Sequence, residues 1–103
     1  MRRKTVINLT PRLRQLRQTI LPTLKRHEVA KAGIFGSFAR GPVRSSSDLD
    51  LLVEFQGRKS LLDLVGLKLD LEDLLGRPVD VVTYRSVHKR LRKIILNQHI
   101  RIL

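Results

Sequence analysis

Residues 47–55 read SDLDLLVEF, and this stretch decides which fold the rest of the chain must fit. Apolar and polar positions alternate along it, which predicts a β-strand over residues 48–55. One face of this strand is apolar and consists of Leu49, Leu51, Val53 and Phe55. The opposite face carries the acids Asp48, Asp50 and Glu54, with Leu52 among them. The strand therefore predicts a sheet, and its acids are the first candidates for chemistry.

On the N-terminal side of this strand, helical spacing of apolar residues predicts a helix over residues 11–27. Thr10 can cap this helix, and Pro11 suits its first turn. Pro22 interrupts the spacing, so we expect a kink or break near Leu21. The remaining elements on this side are a strand over residues 29–35, a single helical turn over residues 37–41 and a loop over residues 42–47.

On the C-terminal side, the sequence predicts a helix over residues 60–75. Ser60 is its expected N-cap, with Asp63 three residues on, and Gly76 marks its end. Its predicted apolar face consists of Leu64, Leu67, Leu71, Leu74 and Leu75. The last predicted elements are a strand over residues 79–84, a helix that begins after Ser86 and a short strand over residues 100–103.

The order of these elements predicts the fold class. The order is helix, strand, short helix, strand, helix, strand and helix. This order indicates an α/β (α+β) domain, with a small mixed central sheet packed by about four helices. A chain of 103 residues with 42% hydrophobic residues fits a single domain over residues 1–103. The chain contains no cysteine and shows neither a secretory signal nor a membrane span, so we expect a soluble, cytoplasmic protein without a membrane partner.

Charge is unevenly distributed along the chain, whose formal net charge is +12. Residues 1–31 carry nine Lys and Arg against one acid, a net of +8. Residues 32–84 carry six against eight, a net of −2, and residues 85–103 carry six and no acid, a net of +6. The basic ends favour a polyanionic or acidic partner such as an NTP, RNA or an acidic protein, or they form a solvated basic surface. Composition does not decide between an enzyme and an RNA-binding module.

Two of the strand carboxylates, Asp48 and Asp50, lie two residues apart and therefore point to the same side. Like charges this close repel unless a cation lies between them, and Mg²⁺ suits paired oxygen ligands. Asp80 lies in the later apolar strand, where an ionised carboxylate needs a ligand or an ion pair. If the two strands are neighbours, the three carboxylates converge. The alternative is that Asp80 marks a strand edge and pairs with an arginine.

Gly36 and Ser37 follow a predicted strand and open a helical turn. Backbone N–H groups at such a turn, together with the Ser37 hydroxyl, can hold phosphate oxygens, although an ordinary turn reads the same way. The combination is more specific than its parts. A phosphate-binding turn, a short spacer, paired carboxylates and a later carboxylate predict a site for two metal ions and a triphosphate.

These residues resemble the motif of a known superfamily. GSFARG at residues 36–41, followed by SDLDLLV at residues 47–53, is similar to the motif of the DNA polymerase beta-like nucleotidyltransferases. Within that superfamily the chain resembles the minimal nucleotidyltransferases (MNT), the antitoxin partners of HEPN-domain toxins. The resemblance spans roughly residues 30–84, and it implies the nucleotidyltransferase fold.

The resemblance also implies roles for individual residues. Gly36 and Ser37 would bind the nucleotide, and Arg40 would reach a phosphate, hold the loop or instead pair with a carboxylate. Three residues, Asp48, Asp50 and Asp80, would be catalytic and would bind two Mg²⁺ ions. Of these, Asp80 would assist deprotonation of the acceptor hydroxyl.

The activity that the resemblance implies is transfer of AMP from ATP to a protein hydroxyl, expected to be a tyrosine of a HEPN toxin. The chain would then be the antitoxin of a type VII toxin-antitoxin pair and part of a hetero-oligomer. Two alternatives stay open: an antitoxin that neutralises its partner by contact alone, and a basic module that binds RNA through its ends.

Overall fold

The computed structural model describes residues 10–35, 48–87 and 99–103. These ranges contain two α-helices, four β-strands and one 3-10 turn. The elements are α1 (Pro11–Arg26), β1 (Val29–Phe35), β2 (Leu49–Phe55), α2 (Leu61–Leu75), β3 (Val79–Thr83), the 3-10 turn Tyr84–Ser86 and β4 (Ile100–Arg101).

The four strands form one mixed sheet in the order β3-β2-β1-β4. Strand β2 is central: it runs parallel to β3 and antiparallel to β1, and β4 pairs antiparallel with the other edge of β1. Parallel pairing of β2 with β3 requires a crossover, which α2 supplies. The predicted strand that carries Asp50 is therefore one of the two inner strands of this sheet.

Helix α1 begins as the sequence predicts, because the Thr10 hydroxyl accepts a hydrogen bond from the Leu13 N–H at 3.2 Å and Pro11 follows it. The predicted break near Leu21 is wrong, since the helix continues through Pro22 to Arg26. Pro22 is exposed, and tertiary packing of the buried Leu24 holds the turn after it against the sheet. Local propensity is overridden here by burial.

Helix α2 has the predicted caps. The Ser60 N–H donates to the Asp63 carboxylate at 2.7 Å, and the Asp63 N–H donates to the Ser60 hydroxyl at 3.4 Å, which completes a capping box. Gly76 ends the helix in the left-handed conformation, with φ of 67°. One predicted core residue is wrong: Leu74 is 47% exposed, because it lies beside the buried face rather than on it.

The hydrophobic core lies between the two helices and one face of the sheet. Alternate residues of β2 point into it, as the sequence predicts, and they are fully buried. The buried members of this core include Leu13, Ile20 and Leu24 of α1, Ala32 and Ile34 of β1, Leu49, Leu51 and Val53 of β2, Leu67 and Leu71 of α2, Val79 of β3, and Ile102. The helices therefore cover one face of the sheet, and the Asp50 side of β2 belongs to the other face.

The C-terminus is fastened to the edge of the sheet, where a short strand was predicted. The Ile102 N–H donates a hydrogen bond to the Ala32 carbonyl at 2.9 Å. The Arg17 side chain of α1 donates to the Ile102 carbonyl at 2.7 Å. These bonds tie the end of the chain to both the sheet and α1.

The prediction of about four helices needs correction, because the described ranges contain two α-helices. The predicted helical turn over residues 37–41 and nearly all of the predicted last helix lie outside the described residues. The start of that last helix is wrong: Ser86 ends the 3-10 turn, where its N–H donates to the Thr83 hydroxyl at 3.1 Å. Neither α-helix of the described ranges is long and apolar enough to cross a membrane.

Candidate active site

Two of the predicted carboxylates meet in the sheet. Asp50 of β2 and Asp80 of β3 are paired residues of neighbouring parallel strands. Paired positions in adjacent strands lie about 4.8 Å apart, and their side chains point to the same face. Because the residues before and after each acid are turned into the core, both carboxylates point to the sheet face opposite α1 and α2.

The end of β1 reaches the same place. Phe35, the last residue of β1, is paired with Asp50 on the other side of β2. The chain therefore enters Gly36 and Ser37 directly after the residue that faces Asp50. Those two residues and Arg40 lie outside the described ranges, so their predicted roles stay predictions.

Asp48 immediately precedes β2 and is exposed. The following residue is already held in the sheet, since the Leu49 N–H donates to the Pro78 carbonyl at 3.0 Å. Among the described residues, no three His, Cys, Asp or Glu side chains stand close enough together to hold a metal ion. The structure thus brings Asp50 and Asp80 together, whereas Asp48 does not complete a cluster of three carboxylates with them. The role of Asp48 as a metal ligand stays a prediction.

The surroundings of the pair suit a hard cation. Asp80 is exposed and Asp50 is half-buried, so both carboxylates are accessible from solvent. Behind them on the same face lies Leu52, which is fully buried. Two carboxylates on rigid neighbouring strands provide the oxygen donors that Mg²⁺ takes from a protein, with substrate phosphates completing its coordination. The residues present therefore fit a nucleotide-bound Mg²⁺.

A separate groove lies at the other end of the same strands. It encloses about 820 Å³ and is lined by Val53, Glu54, Phe55, Gly57, Arg58, Lys59, Thr83, Tyr84 and Arg85. Phe55 lies five positions after Asp50 in β2, which corresponds to about 16 Å along the strand. The groove therefore lies away from the carboxylate pair.

Tyr84 supports this far end of the sheet. The Lys31 ammonium lies 4.3 Å from the centre of its ring, and the His99 ring packs edge-on at 5.6 Å. Burial raises the pKa of Tyr84 to about 12, so the phenol stays protonated. Gly33 makes this arrangement feasible, because a side chain there would collide with the His99 ring and the Tyr84 hydroxyl. The Tyr84 ring thus packs against Lys31 and His99 while it lines the groove.

His27 connects the two α-helices of the described ranges. The His27 ring at the end of α1 lies 2.6 Å from the Asp70 carboxylate of α2, and Arg26 approaches the same carboxylate at 3.7 Å. The hydrogen bond from His27 lowers the pKa of Asp70, with the nearby Arg26 charge adding to the effect. These contacts join the two helices across 43 residues of sequence, which no local pattern reveals.

Comparison with known proteins gives the site its context. The model of the family described as "Nucleotidyltransferase domain" matches residues 16–102. A candidate protein adenylyltransferase of Methanocaldococcus jannaschii is 48% identical over 91 residues, covering 88% of this chain and 98% of the relative. Protein adenylyltransferase MntA of Thermococcus cleftensis is 39% identical over 74 residues, covering 72% of this chain and 75% of that protein.

Solved structures show the same fold. A structure described as a minimal nucleotidyltransferase superposes with a TM-score of 0.73 at 46% identity, covering 86% of this chain and 91% of that one. A toxin-antitoxin structure with AMP-PNP superposes with a TM-score of 0.72 at 23% identity, covering 84% of this chain and 72% of that one. A third structure is a tri-AMPylated HEPN toxin from Shewanella oneidensis in complex with MNT antitoxin. It superposes with a TM-score of 0.69 at 20% identity, covering 87% of this chain and 71% of that one. The latter two similarities concern the fold alone.

Proposed function

Because the chain belongs to the nucleotidyltransferase domain family, we propose that it transfers AMP from ATP to a hydroxyl of a partner protein in the cytoplasm. The acceptor that we propose is a tyrosine of a HEPN-domain toxin, so that the chain acts as the antitoxin of a type VII toxin-antitoxin pair. The names of the relatives support adenylyl transfer to protein, and the fold of the MNT antitoxin supports the partner.

The observation that carries the proposal is the register of three strands. Asp50 stands between Asp80 on one side and Phe35 on the other, and Gly36 follows Phe35 in the chain. The two carboxylates and Phe35, the strand end that precedes the predicted phosphate-binding turn, therefore lie side by side in the sheet. Contact with a partner or with RNA does not require this arrangement, whereas nucleotidyl transfer does.

The chemistry that the residues would perform is mainly positioning. Asp48 and Asp50 would hold Mg²⁺, and Gly36 and Ser37 would bind the triphosphate through backbone N–H groups and a hydroxyl. When bound, Mg²⁺ supplies neutralisation of the charge on the triphosphate and on the departing pyrophosphate. Arg40 is proposed to contact a phosphate.

Asp80 would act on the acceptor. Its carboxylate would accept the proton of the acceptor hydroxyl while the hydroxyl oxygen forms a bond to the α-phosphorus of ATP. The bond from that phosphorus to the bridging oxygen breaks, and pyrophosphate leaves with its electron pair. The products are AMP esterified to the protein, pyrophosphate and a proton on Asp80.

The test is intact-protein mass spectrometry of a HEPN-domain partner, taken from the adjacent gene, after incubation with the chain, ATP and Mg²⁺. We expect the partner to gain the mass of AMP in a Mg²⁺-dependent reaction, and tandem spectra to place it on a tyrosine. The double variant Asp48→Asn with Asp50→Asn should remain folded and transfer no AMP.

The matched control is Glu54→Gln, which removes a carboxylate from the same face of β2 at its other end. This variant should transfer AMP at the wild-type rate. Transfer by the double aspartate variant at the wild-type rate would refute the site assignment. A partner that co-purifies with the chain but never gains mass would favour neutralisation by contact.

A further inference from the structure

Strand β3, which carries Asp80, lies at one edge of the described sheet and pairs with β2 alone. The Leu49 N–H donates to the Pro78 carbonyl at 3.0 Å, so this carbonyl faces β2. Backbone polar groups of successive residues in a strand point alternately to its two sides. The N–H and the carbonyl of Val79 therefore point away from β2, to the side where the described sheet has no further strand.

Two side chains of α2 occupy this edge. The Val79 N–H donates to Oε2 of Glu72 at 2.9 Å, and the Lys68 ammonium donates to the Val79 carbonyl, also at 2.9 Å. The same ammonium donates to the same Oε2 of Glu72 at 2.8 Å. One closed network therefore joins both backbone polar groups of Val79 to a pair of opposite charges. We call Lys68 and Glu72 the edge clamp.

The edge clamp serves β3 more than it serves α2. Lys68 precedes Glu72 by four positions, which is the less favourable order for an ion pair within a helix. Val79 is only 1% exposed, and buried backbone groups without partners are costly. The hydrogen bonds from Lys68 and from the Val79 N–H lower the pKa of Glu72 below its ordinary value of 4.5, so the carboxylate is ionised at neutral pH.

The clamp acts one peptide bond away from Asp80. The carbonyl that Lys68 holds belongs to the peptide group that joins Val79 to Asp80. Asp50 is held by strands on both sides of β2, whereas Asp80 has a strand on one side and the clamp beside it on the other. The Asp80 carboxylate points to the sheet face opposite α2, so the clamp reaches it through the backbone and not by direct contact.

From this geometry we infer that Lys68 and Glu72 are positioning residues for the reaction, which hold the start of β3 so that the Asp80 carboxylate stays beside Asp50. The inference rests on the proposed function, in which Asp80 accepts the proton of the acceptor hydroxyl. A general base works only within hydrogen-bond reach of that proton, and small displacements of a reacting group slow catalysis strongly.

The first test is steady-state kinetics of AMP transfer to the HEPN-domain partner, with rates expressed per folded molecule. Glu72→Ala should lower kcat about tenfold. The KM for ATP should stay that of the wild type, because the residues assigned to the triphosphate lie outside β3. Glu72→Gln keeps an acceptor oxygen at the same position and should stay within about threefold of the wild type. Asp73→Ala, which truncates the exposed neighbouring acid of α2, is the matched control and should have wild-type kinetics.

A double-mutant cycle separates positioning from a general effect on the fold. When Asp80→Asn has already removed the base, adding Glu72→Ala should lower kcat by less than about twofold, since no base remains to be positioned. Lys68→Met keeps the apolar part of the side chain but loses the donor to the Val79 carbonyl. It should show the same coupling to Asp80→Asn. A general loosening of the fold would lower kcat by the same factor in both backgrounds.

Amide hydrogen exchange of the free chain gives a readout without nucleotide, metal ion or partner. The Asp80 N–H is on the side of β3 that faces β2, and in Glu72→Ala it should exchange about tenfold faster because the start of the edge strand opens more often. The Leu51 N–H, in a strand paired on both sides, should exchange as in the wild type.

Three results would overturn the inference: wild-type kcat for Glu72→Ala, equal losses in the two backgrounds of the cycle, or unchanged exchange of the Asp80 N–H. Failure of the proposed function gives a different result. In that case the wild-type chain transfers no AMP, or Asp80→Asn transfers it at the full rate, and the inference fails together with the role of Asp80.

Discussion

The two faces of the central strand β2 perform different tasks. Leu49, Leu51 and Val53 are fully buried against the helices and form the middle of the core. Asp50, between two of them in sequence, points to the opposite face and pairs in register with Asp80. A period of two along one strand therefore separates the residues that stabilise the fold from those proposed to perform chemistry.

This difference teaches how the site is positioned. Asp50 is held by the pairing of β2 with strands on both sides, and Asp80 is held by the pairing of β3 with β2. The buried neighbours of the two acids fix the register of this pairing. A shift of one residue would turn Asp50 into the core and expose the leucines, which the apolar core forbids. The core face therefore determines where the acids stand, so substitutions on the two faces should produce different measurable defects.

The largest effect is expected on the core face. Leu51→Ala removes a fully buried side chain from the middle of β2 and should lower the free energy of unfolding by about 2–5 kcal/mol. Urea denaturation measures this change. The transfer rate per folded molecule should remain that of the wild type, because Leu51 points away from the carboxylates. A large loss of rate in the folded fraction would show that the two faces are not independent.

The open face should give the reverse result. Asp80→Asn preserves the shape of the side chain but removes the proposed proton acceptor, so we expect AMP transfer to slow by about 10²-fold. Thermal unfolding should be unchanged, since Asp80 is exposed. Asp73→Asn, an exposed aspartate on α2, is the control and should retain full activity. Equal rates for Asp80→Asn and the wild type would remove Asp80 from the mechanism.

The smallest effect on stability is expected for the contact between His27 of α1 and Asp70 of α2, on the helices that cover the core. The pKa of Asp70 is lowered from its ordinary value of 3.8, first by the hydrogen bond from His27. A carboxyl with a lowered folded-state pKa stabilises the fold fully above its ordinary value, and this contribution disappears as pH falls through the lower value. The wild type should therefore have a higher melting temperature than Asp70→Asn at neutral pH. The two melting temperatures should converge as the pH is lowered below 3.8. A difference that persists in strong acid would contradict this origin.

Much of the architecture was predictable because its signals are local. Alternation along residues 49–55, the Ser60 and Asp63 capping box and the left-handed Gly76 are each written within a few consecutive residues, and the structure confirms them. The break at Pro22 was predicted by the same kind of local rule and is wrong, because burial of Leu24 outweighs the preference of one proline. Leu74 was misplaced because helical spacing does not fix the edge of a buried face.

The candidate site divides along the same line. The sequence by itself determined the residue types, their order and the faces they share, since side-chain alternation follows from covalent geometry. It left open whether the strand of Asp80 lies beside that of Asp50. Only the tertiary structure decided this, through the parallel register of β2 and β3, because strand order depends on contacts between residues distant in sequence. The same reason explains the His27–Asp70 contact, which joins two helices that lie far apart in the sequence.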